Sequence, residues 1–254
     1  MKKILDTTLV AVEWLNAKNV LLTLTASQQM PEMLPGQFVE VRIDNAPDVF
    51  LRRPISIHFF DPQKNLLYLM VQVVGKGTKR MAALNVGDVL NLILPLGNTF
   101  SIPESPQRLL LVGGGVGVAP LLYLGAELKK KVHRVTFLLG ARTANDLLRM
   151  EAFKGYGDVY VTTEDASLGE KGFVTQHSLL QQQNFDFIYT CGPTPMMQAV
   201  ARYAKEKGIP CEASLENTMA CGLGACLCCV TDTQHGHKCV CSDGPIFNIN
   251  ELKW

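Results

Sequence analysis

The sequence lacks an excess of charge of either sign, because 24 Lys and Arg residues stand against 23 Asp and Glu residues and leave a formal net charge of +1. It also lacks a long run of like charge, so nothing indicates binding to nucleic acid or to a membrane surface. Lys2 and Lys3 are followed by Asp6 and Glu13 rather than by an apolar stretch, so no export signal is indicated. We therefore expect a cytoplasmic protein.

Long hydrophobic runs are absent as well. The longest uncharged run covers residues 109–126, but it is interrupted by five glycines and by Pro120. A helix exposed to lipid would not tolerate so many interruptions, so we predict a strand, a glycine turn and a helix here and no membrane span.

Cysteine is abundant by contrast, with eight residues, six of them within residues 221–241. Disulfides are not expected in a reducing compartment, where such a cluster usually binds metal. Cys221, Cys226 and Cys229 form C-x4-C-x2-C, the plant-type [2Fe–2S] spacing, and Cys241 supplies a fourth thiolate after eleven intervening residues. Glycines between the first two cysteines allow the backbone to wrap closely and to direct N–H groups at sulfur. We predict that these four cysteines bind a [2Fe–2S] cluster.

Two other metal sites are possible from the spacing alone. Structural zinc usually takes two separated C-x2-C pairs, and a Rieske centre would take His235 and His237 in place of two cysteines. Cys228 and Cys239 each lie within two residues of a chosen ligand, which leaves the ligand set open at those positions. The Asp-Gly-Pro sequence that follows Cys241 after one residue favours Cys241 over Cys239.

The hydrophobic pattern divides the chain into three parts. Residues 1–101 contain short alternating strands separated by turn residues, typical of an antiparallel barrel, with Glu40 on the polar side of one strand. Residues 102–210 alternate strands with helices, including one helix predicted over residues 145–153, and this pattern predicts a doubly wound parallel sheet. Residues 211–254 are rich in Cys and Gly and too short to form a core alone, so we expect a small C-terminal lobe.

Several shorter patterns suggest nucleotide binding. Arg53 near the barrel rim can pair with a diphosphate, and Gly77-Thr78 lies at a predicted helix N-terminus, although each pattern taken alone is more often only surface charge and a turn. The glycine run at residues 113–117 follows a strand and opens a helix, which suits a phosphate loop or merely close packing. Cys191-Gly192 ends another strand at the edge where α/β sheets bind ligands, although Cys191 also suits a buried core.

Taken together, these segments resemble the ferredoxin–NADP reductase superfamily. The resemblance rests on motifs that occur in the family's order: Pro35-Gly36-Gln37-Phe38, Arg53-Pro54-Ile55-Ser56, Gly75-Lys76-Gly77-Thr78, Pro95-Leu96-Gly97-Asn98, Gly113 to Pro120, and Cys191-Gly192-Pro193. The cysteine segment and the tail Cys241-Ser242-Asp243-Gly244-Pro245-Ile246-Phe247 extend it, and over its whole length the chain resembles the electron-transfer subunits of type B dihydroorotate dehydrogenases.

The resemblance implies an FAD-binding barrel, an NAD domain and a cluster lobe. It places FAD on Arg53, Pro54, Ile55, Ser56, Met70, Val71, Gln72, Gly77 and Thr78. The corresponding NAD contacts are Gly113, Gly115, Gly117, Glu164, Cys191 and Gly192. Ile55 replaces the usual aromatic residue of the R-x-[YF]-S motif. Glu164 and Asp165 stand where NADP-dependent relatives bind the 2′-phosphate, and carboxylates there favour NAD.

The implied activity is an electron relay, because a nicotinamide carries electrons in pairs, a [2Fe–2S] cluster carries them singly, and a flavin exchanges them either way. The partner would be an FMN-containing dihydroorotate dehydrogenase subunit of pyrimidine biosynthesis, in a heterotetramer with two copies of each subunit. No catalytic acid or base is indicated in this chain. The alternatives are a subunit of a sulfhydrogenase, a subunit of a ferredoxin:NADP transhydrogenase, and a zinc-bearing regulatory module without flavin.

Overall fold

The structure is a computed structural model that describes residues 2–44 and 46–254. The chain forms two compact units, each assembled from segments distant in sequence. The first unit comprises Met1–Thr99, Glu216–Thr231 and His237–Pro245. The second unit comprises Phe100–Leu215, Asp232–Gly236 and Ile246–Trp254. The predicted boundaries 1–101, 102–210 and 211–254 remain a prediction.

The first unit contains a closed barrel of six antiparallel strands in the order β1-β2-β5-β4-β3-β6. The strands are β1 (Lys3–Asn16), β2 (Asn19–Thr25), β3 (Phe38–Val41), β4 (Arg53–Asp61), β5 (Leu66–Gln72) and β6 (Val89–Leu96). Leu22, Leu69 and Leu92 are among the fully buried side chains of its core. Closure leaves no free strand edge, so the register of each strand is held from both sides.

The second unit contains a seven-stranded sheet in the order β10-β9-β8-β7-β11-β12-β15. Its strands are β7 (Arg108–Gly114), β8 (Arg134–Ala141), β9 (Asp158–Thr163), β10 (Glu170–Lys171), β11 (Phe187–Cys191), β12 (Cys211–Ser214) and β15 (Ile246–Asn248). All neighbours pair in parallel except β12 and β15, which are antiparallel. The remaining strands, β13 (Val230–Thr233) and β14 (Gly236–Cys239), form a two-stranded sheet.

Helices occupy the connections. They are α1 (Lys76–Ala82), α2 (Ala119–Lys130), α3 (Met150–Lys154), α4 (Leu179–Gln182) and α5 (Thr194–Lys207).

The strand orders and directions confirm the predicted antiparallel barrel and the predicted parallel sheet. No helix in residues 2–44 and 46–254 is both long enough and apolar enough to span a membrane.

The prediction of one continuous helix over residues 145–153 is wrong. A 3-10 turn covers Ala144–Asp146, and α3 begins only at Met150. Arg149 adopts the left-handed conformation with φ of 59° and separates the two pieces. The apolar spacing of this segment is helical, but this backbone conformation breaks the hydrogen-bond ladder.

Candidate functional site

The loop that carries the first three cysteines turns sharply at two glycines. Gly222 and Gly224 have φ of +66° and +83°, a region that residues with a Cβ atom rarely adopt. A Cβ atom on Gly222 would lie 2.8 Å from Glu40 Cγ and 3.1 Å from Leu96 Cδ1. Gly222 is therefore required both for the turn and for the close approach of the loop to the barrel.

Backbone N–H groups point at the cysteine sulfurs. Leu223 N lies 3.4 Å from Cys221 Sγ, and Gly224 N lies 3.1 Å from Cys241 Sγ. Cys241 N lies 3.4 Å from Cys229 Sγ. Donors of this kind stabilise negative charge on sulfur, and around iron–sulfur clusters they also tune the reduction potential.

Side-chain hydrogen bonds connect the thiols of the four predicted ligands, Cys226 to Cys221 and Cys229 to Cys241. The N–H of Leu223, with further hydrogen bonds from Cys226, lowers the pKa of the Cys221 thiol to about 6. Burial and a hydrogen bond with the Cys229 thiol raise the pKa of the Cys241 thiol to about 12. Among the described residues, no three His, Cys, Asp or Glu side chains are placed to hold a metal ion. The Cys229 thiol also interacts with that of Cys239, so these contacts bring the thiols together without selecting one pairing. Thiolates with N–H donors at their sulfurs suit a [2Fe–2S] cluster.

The two spare cysteines have different surroundings. Cys228 is exposed, whereas Cys239 is buried in a turn that Asp243 closes. Asp243 Oδ2 accepts a hydrogen bond from Cys239 N at 2.7 Å, and Asp243 N donates to Cys239 O at 2.8 Å. Asp243 thus connects the chain after Cys241 to Cys239 before it, through its side chain and its backbone N–H, a role that the sequence motif alone did not reveal.

The predicted FAD motif begins β4 on the barrel. Arg53 Nη1 donates hydrogen bonds to the carbonyl oxygens of Leu51 at 2.6 Å and Arg52 at 3.1 Å. The Arg53 side chain lies against Gly77, where a Cβ atom would be only 2.6 Å from Arg53 Nε. The structure therefore brings Arg53 and the first turn of α1 together, an arrangement that fits a diphosphate.

The first turn of α1 is held by its own residues. Thr78 Oγ1 accepts hydrogen bonds from Val74 N at 3.0 Å and from Gly75 N at 3.1 Å. Its hydroxyl is therefore engaged in shaping the turn. Lys76 at this turn pairs with Asp48 of the loop before β4, a contact that sequence reasoning did not foresee.

The other predicted FAD residues divide between core and surface. Met70 and Val71 of β5 are buried, and Gln72 at its end is exposed. Pro54, Ile55 and Ser56 are half-buried along β4. Each of these FAD assignments remains a prediction at residue level.

Glu40 of β3 is a residue that the sequence pattern placed incorrectly. The alternation in its strand predicts a side chain facing solvent, but Glu40 is fully buried. The loop that carries Cys221, Cys226 and Cys229, which we call the cluster loop, covers this face of the barrel, because Gly222 packs directly on the Glu40 side chain. Neither carboxylate oxygen of Glu40 has a hydrogen-bond partner among the described residues. No local signal identifies this burial, since the covering loop is distant in sequence.

The predicted NAD residues of the second unit gather at the carboxyl ends of β7 and β11. Cys191 pairs in register with Gly113, which places the two following turns side by side. A Cβ atom on Gly117 would lie 2.4 Å from Gly192 Cα, so these turns touch through backbone alone. Gly115, with φ of +56°, begins the 3-10 turn that leads into α2. Such an edge is the usual ligand site of open α/β sheets.

Glu164 follows β9, two strands along the sheet from β7. Its N–H donates to Ala141 O at 3.1 Å. The neighbouring Asp165 accepts hydrogen bonds from Ser167 N at 3.0 Å and from Ser167 Oγ at 2.6 Å, and these bonds lower the pKa of its carboxyl group. Both residues thus follow a strand that ends at the same sheet edge as the glycine turn. The assignment of Glu164 to an NAD site remains a prediction.

Comparison with known proteins agrees with this geometry. Residues 216–253 match the iron–sulfur cluster binding domain of dihydroorotate dehydrogenase B, and residues 111–202 match an oxidoreductase NAD-binding domain. The electron transfer subunit of dihydroorotate dehydrogenase B (NAD(+)) from Shouchella clausii is 43% identical over 225 residues, covering 86% of each chain. The chain belongs to the family of dihydroorotate dehydrogenase B electron transfer subunits. Another family member, from Bacillus cereus, is 42% identical over 247 residues and covers 93% of each chain.

Solved structures place this family member in a wider fold group. An NADH-dependent reduced ferredoxin-NADP oxidoreductase structure is 32% identical, with a TM-score of 0.89, and covers 98% of this chain and 90% of its own. A ferredoxin reductase of carbazole 1,9a-dioxygenase shares the fold, with a TM-score of 0.70 at 23% identity, and covers 82% of this chain and 67% of its own.

Proposed function

We propose that this chain relays electrons between NAD⁺ and an FMN-containing dihydroorotate dehydrogenase subunit, through FAD and a [2Fe–2S] cluster. The observation that carries the proposal is the set of backbone N–H groups directed at cysteine sulfurs, on a unit that also contains the FAD motif. The relatives named electron transfer subunits of dihydroorotate dehydrogenase B support the same role. When bound, FAD supplies exchange between paired and single electrons.

The residues of this chain bind and orient the groups rather than act as acid or base. Cys221, Cys226, Cys229 and Cys241 would hold the cluster, and Arg53 with the first turn of α1 would hold the FAD diphosphate. The remaining FAD contacts would come from β4 and β5. The glycine turn after β7, Cys191-Gly192 and Glu164 would hold NAD. We assign residues 1–101, 102–210 and 211–254 to these three tasks, in a cytoplasmic heterotetramer with two catalytic and two electron transfer subunits.

The first test compares Cys226→Ser with Cys228→Ser. Cys226→Ser should lose the cluster, seen as loss of iron, of acid-labile sulfide and of cluster absorbance, because a hydroxyl group is a poor ligand for this iron. FAD should remain bound and reducible by NADH. Cys228→Ser, which changes an exposed thiol in the same loop, should keep both groups.

Two results would contradict the proposal. A colourless wild-type protein that contains zinc would show a metal module without electron transfer. Loss of FAD together with the cluster in Cys226→Ser would show that the two groups are not held by separate residues.

A ferredoxin:NADP transhydrogenase subunit is the second candidate, favoured by the similarity to the NADH-dependent reduced ferredoxin-NADP oxidoreductase structure. Glu164 and Asp165 oppose an NADP-linked role for this chain. The rates at which NADH and NADPH reduce the bound flavin distinguish the two functions. We expect NADH to be preferred by at least about tenfold, and a preference for NADPH would favour the transhydrogenase.

A further inference from the structure

Two consecutive residues just after the barrel strand β6 hold the chain segment that follows Cys241. Asn98 N donates to Gly244 O at 2.7 Å, and Asn98 Nδ2 donates to Asp243 O at 2.7 Å. A Cβ atom on Gly97 would lie 2.5 Å from Pro245 Cδ and 3.1 Å from Gly244 O. The tail therefore lies directly on the backbone of Gly97, and any larger residue would displace it. We call Gly97 and Asn98 the tail seat.

The held segment is rigidly connected to Cys241. Ser242 N and Asp243 N both donate to Cys239 O, at 3.1 Å and 2.8 Å, and Asp243 Oδ2 accepts from Cys239 N. This turn encloses Cys241, whose Sγ accepts the hydrogen bond of Gly224 N. A shift of Asp243 or Gly244 would therefore move the fourth cysteine and separate it from the N–H group that faces its sulfur.

The seat is also connected to the FAD motif through barrel hydrogen bonds. It follows the end of β6, and Leu96 of β6 pairs with Phe38 of β3. Phe38 in turn pairs with Ser56 of the FAD motif on β4. Because neighbouring strands of a closed barrel do not slide, the path from Ser56 to the seat has a fixed length.

The first cysteine rests on the same strands. Gly222, next to Cys221, packs on Glu40 of β3 and on Leu96 of β6. Both ends of the cysteine segment are therefore fixed to the strands beside the FAD motif. All of these residues belong to the first unit.

We propose that Gly97 and Asn98 are positioning residues that hold Cys241 on the barrel and thereby set the distance for electron transfer between FAD and the cluster. This inference rests on the proposed function. Electron tunnelling falls off exponentially with distance, so a small displacement of the tail slows transfer strongly. Binding of FAD and its reduction by NADH involve other residues and should not change.

The decisive variant is Gly97→Ala, with Gly87→Ala as its matched control. Gly87 also has a positive φ, of +97°, but a Cβ atom there meets nothing within 4 Å. Both alanines impose comparable backbone strain, whereas only Gly97→Ala pushes on Pro245 and Gly244. The new Cβ would also lie 3.0 Å from Phe38 Cε1, so a variant that changes only the tail contact is needed beside it. A second variant, Asn98→Leu, removes the side-chain hydrogen bond to Asp243 O and leaves the backbone hydrogen bond to Gly244 O in place.

The measurement follows purified protein mixed with NADH. Flavin absorbance reports the arrival of two electrons from NADH. The EPR signal of freeze-quenched samples reports reduction of the cluster, which accepts one of these electrons while the second electron stays on the flavin. Iron content and thermal unfolding are recorded for every variant. We expect Gly97→Ala to slow cluster reduction by about tenfold or more and Asn98→Leu by about threefold, with flavin reduction within about twofold of wild type. Gly87→Ala should match wild type in both.

Cluster reduction at the wild-type rate in Gly97→Ala and Asn98→Leu would overturn the proposal. If Gly97→Ala does not fold or lacks iron, Asn98→Leu decides, since it retains the seat backbone: slowed reduction supports the proposal and an unchanged rate overturns it. A wild-type protein without FAD or cluster, or one whose cluster NADH never reduces, would instead contradict the proposed function.

Discussion

At the scale of single residues, Glu40 is the most unusual group in the barrel. Burial raises the pKa of its carboxyl group to about 7, against the opposing effect of Arg52. A buried carboxylate without a hydrogen-bond partner is costly, so the folded chain favours the protonated form. Glu40 therefore supports the packing of the cluster loop best when it is neutral.

Glu40→Gln should change how stability depends on pH. Because the folded pKa lies above the ordinary value of 4.5, the stabilising contribution of Glu40 is complete below about pH 4.5 and is lost as pH rises through about 7. The rise of the pKa from 4.5 to about 7 corresponds to roughly 3 kcal/mol in the free energy of unfolding. Glutamine does not titrate, so the variant should lose less stability than wild type between about pH 5 and about pH 8.

Denaturant unfolding at several pH values measures this effect, with the same chain and cofactor content in each sample. Parallel pH profiles for wild type and Glu40→Gln would show that Glu40 is ionised in the folded protein throughout this range.

At the scale of elements, the start of α1 offers a matched pair of glycines. A Cβ atom on Gly77 would lie 2.6 Å from Arg53 Nε, whereas one on Gly75 would meet nothing within 4 Å. The two residues stand in one turn, so the pair separates loss of the Arg53 position from general disturbance of α1.

Gly77→Ala should weaken FAD binding by about tenfold or more, equivalent to about 1.4 kcal/mol, because it displaces the guanidinium group from the phosphate position. Gly75→Ala should remain within about twofold of wild type. Titration of the flavin-free protein with FAD, followed by flavin fluorescence, measures both. Equal affinities of the two variants for FAD would show that Arg53 does not bind the FAD diphosphate.

Most elements could be predicted from the sequence. The strand, glycine turn and helix predicted from the uncharged run at residues 109–126 correspond to β7, a 3-10 turn and α2. These elements are long or strongly periodic, so the local pattern specifies them. The helix predicted over residues 145–153 was wrong because a single left-handed residue, Arg149, interrupts it. The spacing of hydrophobic residues does not indicate where such a conformation occurs.

At the scale of the whole molecule, apolar side chains flank the cysteines on the surface. Leu223 is 49% exposed and Leu227 is 65% exposed. Exposed leucines beside an electron-transfer site suit a surface that a partner subunit covers. Under the proposed function, that partner is the FMN-containing subunit.

Leu227→Ser should weaken association with this partner by about tenfold, equivalent to about 1.4 kcal/mol, because it removes an apolar contact beside the cluster. Val86, also 65% exposed, lies in the turn between α1 and β6 and provides the control Val86→Ser. Co-purification and light scattering of the mixed subunits measure the effect. Equal loss of binding in both variants, or loss of iron in Leu227→Ser, would argue against a specific contact of Leu227.

The sequence by itself determined the chemistry that this protein carries. The cysteine spacing, the glycine turns and the change from alternating strands to strand–helix repeats are local, because each depends on residues close together in the chain. Only the tertiary structure decided which backbone N–H groups face the cysteine sulfurs, that the turns at Gly117 and Gly192 touch, and that the cluster loop buries Glu40. It also placed the tail after Cys241 on Gly97 and Asn98. These arrangements join segments up to 182 residues apart, Glu40 and Gly222 being the farthest pair, and packing across such separations is not encoded in local spacing.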